Sequence, residues 1–309
     1  MPAPCDNRRG VRRLACIVLT LSAAASCRSH RPQAAAADAR DADPKIILTS
    51  TWAKCGALDC RQYDSVGEAF EDALAGGPRV VAIGEAHAQR GTTVPSSAHH
   101  FKEDLLPLLA GRASDLLVEV MNPPAGCAKT TEVVRGKQAV VTQKQAPSDQ
   151  GEYVAMGTRA RELGIIPDLL RPTCGDLAAV DSAGEDAVPA SLAMIARLTR
   201  TQVERMLERD EQTPGDENKI VVTYGGALHN DLDPSPERAG WSFGPALAAR
   251  TGGRYVAINL YVPELIDDSD AWKRLAFYRY YDPAKAGAKT AVFRQGKSFV
   301  VVLPRTAAK

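Results

Sequence analysis

"RVVAIGEAHAQRG", residues 79–91, decides how the chain folds. An unbroken apolar run, Val80 to Ile83, ends on Gly84, Glu85 and His87. Strands buried on both faces read as continuous apolar runs, and such strands belong to parallel sheets covered by helices. "DLLVEVM" (115–121), "NKIVVTYGG" (218–226), "RYVAINLYV" (254–262) and "SFVVVLP" (298–304) share this character, and "IIPDLL" (165–170) is a weaker version with a proline inside. Helical patterns lie between them. Residues 65–77 place Val66, Phe70 and Leu74 on one face, 98–112 are interrupted by Pro107, and 152–164 stop at Gly164. A long amphipathic stretch covers 189–209 and a shorter one 243–251. This alternation predicts an α/β fold, a mostly parallel central sheet with helices on both faces. No helix of ordinary length separates the last two strands, so antiparallel pairing at an edge near the C-terminus is expected there.

Before the fold comes an export signal. "NRRGVRR" is a charged segment, "LACIVLTLSAAA" an apolar one too short to span a bilayer, and small residues follow. Residues 1–26 therefore read as a signal peptide. "AAASC" resembles a bacterial lipobox, which makes Cys27 the expected lipidation site, although Ala24 stands where leucine is usual. Residues 27–45, rich in alanine and aspartate, read as a flexible tether, and 46–309 as one α/β domain. Cleavage removes four arginines and one aspartate and leaves a body near neutrality. No basic stripe appears, which argues against nucleic acid and for a small-molecule or peptide partner. The expected location is the cell envelope, on a membrane through the N-terminal lipid and facing the periplasm, or secreted if no lipid is attached.

Four cysteines follow Cys27: Cys55, Cys60, Cys127 and Cys174. An even number in an oxidising compartment predicts two disulfides. Cys55 and Cys60 are close enough to close a small loop, which leaves Cys127 for Cys174, the expected choice among three connectivities. A four-cysteine zinc site lacks its CxxC spacing.

Ligands of open α/β sheets bind beyond the carboxyl ends of the strands. Three strands deliver polar residues there: Glu85 and His87 after the first, Glu119 within the second, and Tyr224, two glycines and His229 at the third. His99 and His100 open the helix after the first strand. Only one further histidine, His30, exists, and it lies in the tether. A carboxylate inside an apolar run needs a partner. For Glu119 the alternative to a site role is a structural ion pair with Arg90 or Arg171.

"VVAIGEAH", "AHHFKEDLLPLL", "DLLVEVM" and "IVVTYGGALHND", in this order, resemble the superfamily that joins erythromycin esterases, ChaN-like haem-binding lipoproteins and TIKI-type proteases, and the lipoprotein-like N-terminus resembles the ChaN-like branch most. The likeness spans about 79–230. An eleven-residue stretch, 88–98, separates the GEAH motif from His99, and the GExxH spacing of the esterase branch is absent, so no substrate carries over.

Two chemistries follow. In the first, the protein hydrolyses ester or peptide bonds: Glu85 and His87, two apart, share one face of the strand, Glu85 acts as general base on water, and His87, Glu119 and His229 complete the site. These four residues either hold a divalent transition metal (Zn, Mn or Fe) or work without one. In the second, the protein binds haem or iron for uptake, with His99 or His100 and Tyr224 as axial ligands and the aromatic run 277–282 as an apolar face. A catalytically inactive envelope scaffold is the third reading.

Overall fold

A computed structural model describes residues 48–146 and 148–306. Residues 1–47, with the expected signal peptide, Cys27 and the expected tether, lie outside the described residues. The strands are β1 (Ala53–Cys55), β2 (Leu58–Tyr63), β3 (Val80–Glu85), β4 (Ala113–Met121), β5 (Ile166–Leu170), β6 (Ile220–Gly226), β7 (Tyr255–Tyr261), β8 (Thr290–Gln295) and β9 (Ser298–Val302). They form one nine-stranded sheet in the order β1-β2-β8-β9-β7-β3-β6-β4-β5. The α/β class holds, but the sheet is mixed rather than mostly parallel. From β9 to β5 neighbouring strands run parallel. The other edge is antiparallel throughout, β1 on β2, β2 on β8 and β8 on β9.

The expected antiparallel pairing of the last two apolar runs is also corrected: β7 and β9 run parallel. The reversal is made by β8, which turns into β9 through Gly296 at φ 59° and Lys297, a two-residue hairpin loop whose twist requires a left-handed residue. The N-terminal hairpin then adds to β8, so residues from both ends of the fold build the antiparallel edge.

The helices include α1 (Val66–Leu74), α2 (Ser97–His100), α3 (Ala128–Thr142), α4 (Ser148–Glu162), α5 (Cys174–Ser182), α6 (Ala187–Gln212) and α7 (Gly244–Arg250). Ser65 and Ser96 cap α1 and α2 by accepting from Glu68 N and His99 N. Pro107 has no N–H to continue the helix after α2, which passes through a π turn, Phe101–Leu105, into a 3-10 turn, Leu106–Leu109. Val81 and Ile83 of β3 pack with residues of α1, α2 and α4, whereas Val80 and Ala82 pack with residues of α3, α5, α6 and α7. Helices thus cover both faces, as the unbroken apolar strands require.

Disulfides Cys55–Cys60 and Cys127–Cys174 form as expected. The first ties the β1–β2 hairpin, and the second joins the start of α3 to the start of α5. Both belong to an oxidising compartment, extracellular or periplasmic. Among the described residues no helix is long and apolar enough to cross a membrane.

The aromatic run 277–282 is not an exposed face. Phe277, Tyr280 and Tyr281 are buried, and Phe277 stacks on Tyr261 and packs against Phe293.

Candidate active site at the carboxyl end of the sheet

The register of β6 with its two neighbours sets the geometry. Ile83 of β3 and Val118 of β4 both lie level with Tyr224. Glu85 is two residues beyond Ile83 and so shares the face of Tyr224. Glu119 is one residue beyond Val118 and points to the other face. A register shift between Val118 and Met121 disturbs β4 at this point, as irregularities beside sites often do. The four residues expected at one site therefore form two acid–imidazole pairs, one on each face, meeting at the end of β6.

The first pair is tight. Glu85 is 3% exposed. Its Oε1 lies 2.8 Å from His87 Nδ1 and also accepts from the Tyr153 hydroxyl of α4, and its Oε2 accepts from the Tyr224 hydroxyl. Tyr153 OH is also 3.2 Å from His87 Nδ1. Burial strips the carboxylate of water, and these donors replace it, each charged hydrogen bond contributing about 1.5–3 kcal/mol. Because Nδ1 faces a carboxylate, it carries the proton of the neutral ring, and Nε2 is left as the acceptor. Tyr224 is itself fixed between Phe101 and Tyr153, at ring distances of 5.1 and 5.7 Å.

The second pair is looser. Glu119 Oε2 accepts from Gly226 N at 2.8 Å, while Oε1 stands 3.7 Å from His229 Nε2. His229 Nδ1 donates to the carbonyl of Trp241 at 2.7 Å, so the neutral ring turns its acceptor nitrogen toward a carboxylate. Arg171, offered as a structural partner of Glu119, binds Asp168 instead at 2.6 Å. A cavity of about 10 Å³, at the lower limit for one water, is lined by Glu119, Thr199, Thr223 and His229 among others.

Glycines make the meeting point. A Cβ on Gly225 would lie 2.2 Å from Glu119 Oε2, so only glycine leaves room for that carboxylate. A Cβ on Gly226 would meet His87 Nε2 at 3.5 Å, His229 Cδ2 at 3.8 Å and Glu119 Oε2 at 3.9 Å, so all three side chains border one small space. Gly84 is equally constrained, by Asn259 Oδ1 at 2.3 Å and Asn230 Nδ2 at 2.7 Å. Asn230 ties the loop after β6 to β3, donating to Ala82 O and Asn259 Oδ1. Of the four site side chains His87 is the most open, 28% exposed against 1% for Glu85, 18% for Glu119 and 4% for His229.

His99 and His100 take other partners. His99 Nδ1 is 3.3 Å from Glu152 Oε1, which also receives Lys102 through Oε2, and His100 Nδ1 is 2.9 Å from Asp104 Oδ2. Tyr224, considered as a haem ligand, is 1% exposed and donates to Glu85. Sequence reasoning missed Tyr153, which nothing near it in the sequence marks as a site residue. It also missed Asn230, which its place directly after His229 could have flagged. Among the described residues no three His, Cys, Asp or Glu side chains form a group able to hold a metal ion.

No family model matches the chain, and no curated protein matches it. A solved protein from Bacillus cereus is similar at 12% identity, over 77% of this chain and 91% of its own, with a TM-score of 0.35, too low to carry an argument.

Proposed function

We propose that the protein is an envelope hydrolase of ester or peptide bonds, a member of the superfamily of erythromycin esterases, ChaN-like lipoproteins and TIKI-type proteases, tethered through a lipid on Cys27. The observation that carries the reading is the convergence of two acid–imidazole pairs on the space above Gly226. His87 is the general base: Glu85 holds its Nδ1 proton, and Nε2 takes a proton from the attacking water. Glu85 thus orients and balances the imidazolium rather than taking the proton itself, a change from the role expected on sequence. The Tyr153 and Tyr224 hydroxyls keep the carboxylate in place. His229 takes a proton from solvent at Nε2 and donates it to the developing oxyanion or the leaving group, with Glu119 beside it as counter-charge. His87 returns the proton of the attacking water to solvent, so protons balance over one turnover.

The donors already spent on Glu85, the Gly226 N–H spent on Glu119, and the lack of a three-ligand group among the described residues do not fit a resident metal as the side chains stand, and no step runs through one. The haem reading has less support, since Tyr224 is buried on Glu85 and both helix histidines are engaged by carboxylates.

The test is a panel of 4-nitrophenyl esters and short peptides offered to the mature protein with and without a chelator. Chelator-resistant turnover that falls by about 10²-fold in Glu85→Gln supports the reading. Turnover abolished by chelation restores the metal version. A Soret band on haem titration, with no hydrolysis across the panel, replaces the hydrolase with a carrier.

A further inference from the structure

A second hollow lies away from the acid–imidazole pairs. A cavity of about 520 Å³ opens along the free edge of the sheet, between β5, which has a strand neighbour on one side only, and α6. That volume is in the range of small-molecule sites. Ile166, Leu198 and Met206 supply an apolar wall. Leu198 and Met206 belong to α6, and beside them the same helix sends Arg197, Thr201, Arg205 and Arg209 from successive turns, four residues apart and so on one face.

Three of the arginines in this groove are held by acids. Arg197 pairs with Asp176, Arg171 with Asp168 at 2.6 Å, and Arg209 with Asp115. Arg205 has no acid or hydrogen-bond partner among the described residues. Beside it Gln202, nine-tenths buried, donates to Leu169 O at 2.9 Å and Asp168 Oδ2 at 3.2 Å, which fixes the edge strand against the helix. The groove is thus a rigid frame with three balanced ion pairs and one unbalanced guanidinium. A network built for stability alone gains nothing from a fourth like charge among three pairs, since the added repulsion has no compensating contact.

We propose that this groove binds a small organic oxyanion, a phosphate or carboxylate on a partly apolar body. Arg205 offers a planar fork that matches either group bidentately, and Thr201 adds a hydroxyl one turn away. The three paired arginines are neutralised by their acids and serve to fix the frame, so Arg205 supplies the charge and the apolar wall takes the body of the ligand. The site is separate from the pairs around Gly226 and does not depend on the hydrolase reading.

Calorimetric titration of the mature protein with inorganic phosphate, phenyl phosphate and benzoate at low salt tests this. Phenyl phosphate or benzoate is expected to bind more tightly than inorganic phosphate, and the stronger of the two names the preferred head group. Arg205→Ala should weaken binding about tenfold, Arg205→Lys by less, and His229→Ala not at all. Arg205 is exposed, so its variants should melt with the wild type. No heat with any of the three probes, equal affinity in Arg205→Ala, or loss of binding in His229→Ala would each overturn the proposal.

Discussion

The two acid–imidazole pairs use the same residue types and differ in almost everything else. Glu85 is closed off on the α1/α4 face, reached by two tyrosine hydroxyls and by His87. Glu119, on the α6/α7 face, has one backbone N–H and an imidazole at 3.7 Å. The saturated carboxylate can do little except steer its histidine, whereas the looser pair leaves space for a proton or a water between its partners. One pair holds a geometry, and in the proposed reaction the other is the one that donates a proton.

If that division is right, His87→Ala should be the most damaging single change to activity, lowering kcat/KM by about 10³-fold, with a stability loss of about 1–3 kcal/mol from the donor taken away from buried Glu85. His229→Ala should cost less, about 10²-fold, because it removes charge stabilisation and leaves the base. Equal losses, or the reverse order, would break the comparison.

The glycines sharpen it. Gly225→Ala puts a methyl 2.2 Å from Glu119 Oε2 and should expel that carboxylate, reducing activity about 10²-fold while the His87 imidazole resonances keep their wild-type shifts. Gly226→Ala meets only ordinary contact distances, so the fold should be unchanged while the shared space is plugged and KM rises. A Gly226→Ala enzyme with wild-type kinetics would show that substrate does not enter between the pairs.

Smaller effects separate holding from catalysis. Tyr153→Phe removes one donor from a buried carboxylate and should lower stability by about 1–3 kcal/mol, read as a shifted urea midpoint, with activity down about tenfold. The smallest effect lies outside both pairs. Burial alone would raise the Glu152 carboxyl, but Lys102 and His99 outweigh it and hold it below its ordinary value of 4.5. A carboxyl lowered in the folded state adds stability above that ordinary value, and the gain disappears as pH falls through the folded one. Glu152→Gln should therefore flatten the stability profile between about pH 5 and pH 3 and leave it parallel to wild type at neutral pH.

What the sequence made legible follows from burial. β3, β4, β6, β7 and β9 were visible because strands buried on both faces need unbroken apolar runs. The β1–β2 hairpin was not, since "AKC" and "LDCRQY" are short and carry charges at an edge. α3 has almost no apolar period to find. β8 was masked by Arg294 and Gln295 beside its turn, and missing it misplaced the antiparallel edge. Glu85, His87, Glu119 and His229 stood out as polar residues at the ends of apolar runs. Their division between two faces depends on inter-strand register, which only folding sets. Tyr153 reaches Glu85 across 68 residues of chain, and no local pattern announces such a contact.

Strand β6 has one more consequence, for the order in which the chain becomes active. It lies between β3 and β4 in the sheet but follows both in the chain, so Glu85 waits 139 residues for Tyr224, and Glu119 waits 107 for the Gly226 amide. A polypeptide emerging from its N-terminus carries the acids and the first imidazole early. Glu85 and His87 can meet locally, but the second pair and the space above Gly226 do not exist until the central strand inserts between its neighbours, so a partly threaded chain lacks the meeting point of the two pairs.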